Sequence, residues 1–222
     1  EYLRSVLHDH YQLLSTGLSG HSPETMAKRR LKNTCLGYLS RHSDTQSICY
    51  DILESPDCFT DEIAAFKGLV SQSIDDHKSV ITAFRSKWQS EPLIIQKWMA
   101  IQAISKDPNG LNVVKMLQKD PLYQRQTPNF IRSLIGAFGQ NICHFHASDG
   151  SGYQFYADQI ADIDPFNPSV AARLANAFKL FPKLNMSLQQ KMGLALDGLL
   201  AQSSLSVNTR EVCHKIRTSI DQ

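Results

Sequence analysis

The segment NFIRSLIGAFGQNICHFHASDGSGY, running from Asn129 to Tyr153, carries two local signals in succession. Its first half reads as an amphipathic helix. At about 100° per residue, Phe130, Ile131, Leu134, Ile135 and Phe138 fall on one side, and Arg132, Ser133, Gly136 and Ala137 on the other. The second side is small apart from one arginine. A glycine inside a helix costs roughly 1 kcal/mol relative to alanine, so Gly136 predicts that another backbone or a ligand comes close there. Further on, Asp149-Gly150-Ser151-Gly152 has turn chemistry: its glycines permit positive φ, and Asp149 or Ser151 can cap a helix beginning near Tyr153. An anion bound at that helix N-terminus is the alternative reading of the turn.

Working outward, apolar residues recur at helical spacing nearly everywhere, and alternating β-branched runs bounded by turns are lacking. Ile63, Phe66, Val70 and Ile74 form one stripe, which Ile81, Phe84 and Trp88 continue. After Glu91-Pro92, the residues Leu93, Ile94, Ile95, Trp98, Met99, Ile101 and Ile104 are apolar around most of the circumference, which predicts an inner helix. Ser22-Pro23 and Asn167-Pro168 have the form of an N-cap followed by proline at the first helical position. Ser187 with Gln190, and Asn208 with Glu211, have capping-box spacing. Asp107-Pro108-Asn109-Gly110 and Asp120-Pro121 are turns by composition. The expectation is an all-α chain of about ten short helices, with paired starts recurring at roughly 35 to 45 residues. Antiparallel pairs that touch mainly their neighbours would make an α-solenoid; a compact orthogonal bundle is the alternative.

A chain of 222 residues can bury one sizeable core or form one extended repeat array, and 42% hydrophobic with 20% charged residues argues against disorder. No internal linker is visible, so a single domain over residues 1–222 is expected. The balance of 23 basic against 21 acidic residues falls short of the clustered basic face and domain pI above about 9 that nucleic acid calls for. Lys28-Arg29-Arg30 reads as the solvated face of a helix. No run of about 18 apolar residues spans a bilayer, and EYLRSVLHDHYQ lacks a signal peptide's pattern. The chain begins without Met, as a piece of something longer would. Cys35, Cys49, Cys58, Cys143 and Cys213 are odd in number and show no CxxC pairing, which fits a reducing, cytoplasmic compartment, with Cys35 a small core residue.

Chemistry-bearing residues are few. Arg132 projects from the small face of its helix and either bridges to a neighbouring helix or meets a ligand. Arg173, in PSVAARLANAF, lies at the edge of the stripe Val170, Leu174, Ala177, Phe178 and Phe181, where its stem can cross apolar surface. Cys143, His144 and His146 are clustered, but residues two apart face away from each other on a helix and no second ligand cluster has zinc-finger spacing. No GxSxG elbow exists, and the neighbours Cys213 and His214 diverge by about 100° on a helix. Tyr123, Tyr153 and Tyr156 fit a pocket lining or a helix interface equally well.

RSLIGAF at residues 132–138, followed by FHASDGSGY at 145–153, resembles the C-terminal helical domain of the aminopeptidase N family, the zinc-dependent enzymes that remove single N-terminal residues from peptides. The likeness is strongest from Trp98 to Phe181 and extends back to RRLKNTCLGYL and forward to KMGLALDGL. It implies an armadillo/HEAT-like α-solenoid that covers an upstream catalytic domain of the same polypeptide and encloses a chamber for short peptides. It also implies that Arg132 faces the chamber, joined by Arg173 through a shorter motif, VASRL in the family. The family's zinc-binding HExxH and its GAMEN loop are absent from this chain. Zinc therefore belongs to the parent enzyme, and the chain alone is expected to bind none and to lack peptidase activity. The parent is expected to be a cytoplasmic monomer with no nucleic-acid or membrane partner. A free-standing α-solenoid adaptor that binds a protein segment is the competing class.

Overall fold

A computed structural model describes residues 2–18, 20 and 22–219, and among them every regular element is a helix. No helix among the described residues is long and apolar enough to cross a membrane. The chain divides into two compact units, one ending at Lys87 and the other starting at Trp88. Among the described residues thirteen α-helical segments replace the ten or so expected, partly because the Asn129–Tyr153 region breaks into short pieces.

The first unit holds α1 (Tyr2–Leu14), α2 (Pro23–Leu39), α3 (Ser47–Glu54), α4 (Phe59–Val70) and all but the last residue of α5 (Lys78–Trp88). Ser22 caps α2 as predicted, its hydroxyl accepting from the Thr25 N–H ahead of Pro23 at the first helical position. Helix α2 packs on α1 and α4, and α3 on α4. Tyr11, Cys35, Leu36, Leu39, Cys49, Ala65 and Leu69 form the core between them. Cys35 is the small core residue expected, and burial pushes the Cys49 thiol up to about 12, so neither is a reactive thiolate. The stripe from Ile63 to Trp88 is not one continuous helix. It breaks after Val70, and Ile74 instead precedes a short 3-10 turn over Asp75–His77. Phe66 and Phe84 still stack across the break at 4.3 Å.

Under the Lys28-Arg29-Arg30 run lies an ion-pair cluster that the sequence did not announce. Lys28 and Arg30 are exposed as expected, whereas Arg29 turns inward and donates to the Leu18 carbonyl oxygen at 2.7 Å. Asp61 on α4 is buried, with Lys32 Nζ 2.8 Å from Oδ2, Asn33 Nδ2 2.8 Å from Oδ1 and Arg29 Nε 3.9 Å away. Burial alone would raise the Asp61 pKa; the hydrogen bonds from Lys32 and Asn33 and the lysine charge outweigh it and hold the carboxyl below its ordinary value.

The second unit contains α6 (Pro92–Ala103), α7 (Gly110–Leu117), α8 (Pro128–Ile131), α9 (Ile142–Phe145), α10 (Ser151–Ile163), α11 (Pro168–Ala175), α12 (Met186–Leu200) and α13 (Val207–Arg217). A π-helical turn over Arg132–Gly136 follows α8, and a 3-10 stretch over Asn176–Lys183 follows α11. From α9 onward most packing joins a helix to the next one or the next but one, as in α10 on α11 and α12 and α13 on α11 and α12. Such near-neighbour packing is what a repeat architecture produces. Helix α6 is an inner helix over most of its length, burying Ile95, Trp98, Met99 and Ile101, although Leu93 is exposed.

Asn167 caps α11 as predicted, but α12 and α13 start two residues earlier than their capping-box spacings suggest. The caps are Asn185, accepting from the Leu188 N–H, and Ser206, accepting from the Thr209 N–H. Ser206 wins for a tertiary reason. The buried Asp164 carboxylate at the end of α10 accepts from the Ser206 N–H, the Ser206 hydroxyl and the Thr209 hydroxyl, pinning the start of α13 to another helix.

Asp61→Ala should cost about 3–5 kcal/mol in urea unfolding at pH 7, because the Lys32 charge stays buried without its partner. The sign of the pH effect follows from the lowered folded value. The Asp61 contribution is fully present above the unfolded carboxyl value of about 3.9 and is lost as the pH falls through the lower folded value. The gap between wild type and variant should therefore close on acidification; a gap that widens would contradict the ion pair.

Candidate functional site

Arg132 is the first residue of the π turn, whose defining bond runs from the Ala137 N–H to the Arg132 carbonyl oxygen five residues back. The predicted stripe holds: Phe130, Ile131, Leu134, Ile135 and Phe138 are all buried, while Arg132 is exposed. The departure from α geometry is local, and single π turns inside helices are frequent at functional sites. The Arg132 guanidinium donates from Nη1 to Asn129 Oδ1 at 2.8 Å and forms no ion pair among the described residues.

Arg173 lies on α11, exposed, with Val170, Ala171, Leu174 and Ala175 buried on the opposite side. It too has no ion pair among the described residues, in contrast to Arg4, Arg29, Arg125 and Arg217, each of which faces an aspartate. The π turn packs on α11. A Cβ placed on Gly136 would lie 3.7 Å from Leu174 Cδ2 and 3.8 Å from Arg132 Cβ, so the π turn meets α11 at Leu174, the residue after Arg173. What approaches Gly136 is thus a leucine side chain at ordinary contact distance, and the expectation of a close backbone there is corrected. The bridge to a neighbouring helix is likewise not formed by either arginine among the described residues.

The close backbone approach occurs at Gly152 instead. A Cβ there would overlap the His144 carbonyl oxygen and sit 2.6 Å from that of Phe145. Gly150 takes the left-handed conformation at φ 82°, and Asp149 Oδ1 accepts from the Ser151 N–H and hydroxyl, which lowers the Asp149 pKa. The positive φ is where the sequence placed it, at Gly150, but the helix starts two residues early with Gly150 itself at the cap position, and Asp149 holds the Ser151 N–H from one residue further back.

Upstream, Asn141 is buried and makes four hydrogen bonds: Nδ2 donates to the carbonyl oxygens of Ala103 and Ser105, each at 2.9 Å, and Oδ1 accepts from the N–H groups of Cys143 and His144. Its place before ICHF is an N-cap signature that could have been read in advance. Asn129, one turn before Arg132, carried no such signal.

The clustered Cys143, His144 and His146 do not converge. Cys143 is exposed, the His144 ring packs where a side chain on Gly110 would otherwise lie, and His146 Nδ1 pairs with the Tyr153 hydroxyl at 2.7 Å. Burial lowers the His146 pKa and pushes Tyr153 up to about 12. Among the described residues no three His, Cys, Asp or Glu side chains are grouped to hold a metal ion. Cys213 is buried and His214 exposed, which separates them as expected. Tyr153 and Tyr156 are core residues packed edge-on against Phe145, which makes them a helix interface and not a pocket lining.

These features define a helical repeat domain that presents two uncompensated guanidinium groups from touching elements. The chain belongs to the family described as "Domain of unknown function (DUF3458_C) ARM repeats", which matches residues 1–218. It is 34% identical to aminopeptidase N of Escherichia coli (strain K12) over 187 residues, covering 82% of this chain and 21% of that protein. It is 31% identical to aminopeptidase N of Haemophilus influenzae over 193 residues, 86% of this chain and 22% of that protein. The chain thus spans about a fifth of the length of these relatives. The solved structure "Crystal structure of Legionella pneumophila aminopeptidase A in complex with aspartic acid" shares the fold with a TM-score of 0.88 at 23% identity, over 98% of this chain and 27% of that one. The resemblance carried by RSLIGAF and FHASDGSGY is borne out, and so is the all-α solenoid class.

Two glycines now make opposite predictions. Gly152→Ala should destabilise by about 1–3 kcal/mol, because backbone carbonyls must move to admit the methyl group. Gly136→Ala meets only ordinary contacts and should gain about 0.5–1 kcal/mol from the restricted unfolded chain. Thermal melts of the two variants should separate in opposite directions from wild type; equal shifts would contradict the packing.

Proposed function

We propose that this chain is the C-terminal helical domain, over residues 1–222, of a zinc-dependent aminopeptidase of the aminopeptidase N type. In this reading the domain closes the substrate chamber, and Arg132 and Arg173 hold short peptides beyond the scissile bond. The supporting observation is the exposure of both guanidinium groups on touching elements, with no acidic partner among the described residues. A guanidinium stays charged at any working pH, and its planar fork donates two parallel charge-assisted hydrogen bonds to a carboxylate. The C-terminal carboxylate of a di- or tripeptide is such a group.

The arginines position substrate and move no proton. Zinc and the general base belong to the upstream catalytic domain of the same polypeptide, where the metal activates water toward the first peptide bond. This chain's role is to bind and orient the peptide and to limit its size, since a closed chamber excludes folded proteins. The parent acts in the cytoplasm as a monomer, and this chain alone has no peptidase activity.

Kinetics of the full enzyme with Arg132→Ala and with Arg173→Ala test the assignment. Loss of a charge-assisted hydrogen bond should raise KM for di- and tripeptides by about tenfold to a hundredfold. The kcat should change little, and N-terminal aminoacyl amides, which lack the carboxylate, should be processed as by wild type. Unchanged constants on di- and tripeptides would reject the role.

A further inference from the structure

We infer that Asn129 is the positioning residue of the Arg132 guanidinium, an assignment that rests on Arg132 binding substrate. A guanidinium has only donors, so the Arg132 Nη1 contact at 2.8 Å fixes which end of the Asn129 amide faces it: Oδ1 accepts, and the NH2 group points away. Among the described residues this is the Arg132 side chain's only hydrogen bond. Both residues are exposed, so the bond is not a way of burying polarity. Its consequence is orientation.

An arginine side chain has several rotatable bonds and loses much rotamer freedom when it docks a ligand. A neutral acceptor one turn away restricts that freedom before the substrate arrives and leaves the positive charge uncompensated. An aspartate or glutamate at the same place would restrict it too, but would spend the charge that a carboxylate needs. The backbone supports this geometry. Asn129 is the second residue of α8, directly after Pro128 at the first helical position, and Arg132 opens the π turn, so both stem from one short segment anchored by buried Phe130 and Ile131.

The test uses the full-length enzyme with tripeptides and with aminoacyl amides that lack a C-terminal carboxylate. Asn129→Ala should raise KM for tripeptides by about threefold to tenfold, the worth of one exposed hydrogen bond, and leave kcat and the amide substrates unchanged. Asn129→Asp, which keeps the acceptor but neutralises the guanidinium, should raise tripeptide KM further than alanine does. In an Arg132→Ala background, Asn129→Ala should have no additional effect. If Arg132→Ala raises KM and Asn129→Ala does not, or if the two effects multiply independently, the positioning role fails while the substrate-binding reading survives. If Arg132→Ala itself leaves tripeptide KM unchanged, both fail. Unchanged melting temperatures of the variants exclude a folding defect as the source of the KM change.

Discussion

The second unit depends on the Asn141 side chain, which is buried and uses its whole hydrogen-bonding capacity. Two donors satisfy the carbonyl oxygens of Ala103 and Ser105 at the end of α6, and two acceptor positions cap α9. Without it the two buried carbonyl oxygens would lose their partners, each at a cost on the order of 1–3 kcal/mol, and the first N–H groups of α9 would lose their cap. The same amide sets where α9 begins, and hence where Phe145 enters the core.

Phe145 is the hub through which the two arginine elements are related. It packs against Phe138, at the end of the Arg132 motif, and against Phe178, in the 3-10 stretch following the Arg173 helix, with ring centroids 6.5 and 5.7 Å apart. Tyr153 and Tyr156 close the cluster edge-on. The tight seat of Gly152 on the His144 and Phe145 carbonyls brings α10 close enough for those tyrosines to reach. Core packing of this density leaves few arrangements of α8 and α11 available. The exposure of Arg132 and Arg173 on touching elements is thus a product of the aromatic core beneath them, not of any direct contact between the two side chains.

The charged side chains differ in how they are paired. Where charge serves the fold, it is paired: Asp61 with Lys32, Glu62 with Lys87, Asp197 with Arg217. Arg132 has only a neutral amide for company. A buried ion pair stabilises mainly in the sense that breaking it is costly, whereas an exposed, unpaired guanidinium retains its attraction for an external anion. This contrast is what the proposed binding role of Arg132 rests on, in a chain whose net charge is only +2.

Much of the fold was legible in local sequence because it rests on local physics. The stripe Phe130, Ile131, Leu134, Ile135 and Phe138, the caps at Ser22 and Asn167, and the turn at Asp149-Gly150 each depend on interactions within a few residues, and periodicity and capping chemistry report those directly. The Arg132 and Arg173 candidates were likewise readable, one from a small helix face and both from their motifs. What the sequence could not decide was every feature whose partner lies far along the chain. Asp164 moved the start of α13 to Ser206, Asp61 drew Arg29 inward from a run that looked solvated, and the tight approach fell at Gly152 and not at Gly136. The π turn under Arg132 and the Asn129 bond across it also emerged only in three dimensions, since helical periodicity does not distinguish one turn of π geometry from α. Sequence alone determined an all-α chain and its candidate arginines; tertiary packing alone decided which charges were neutralised and which were left facing outward.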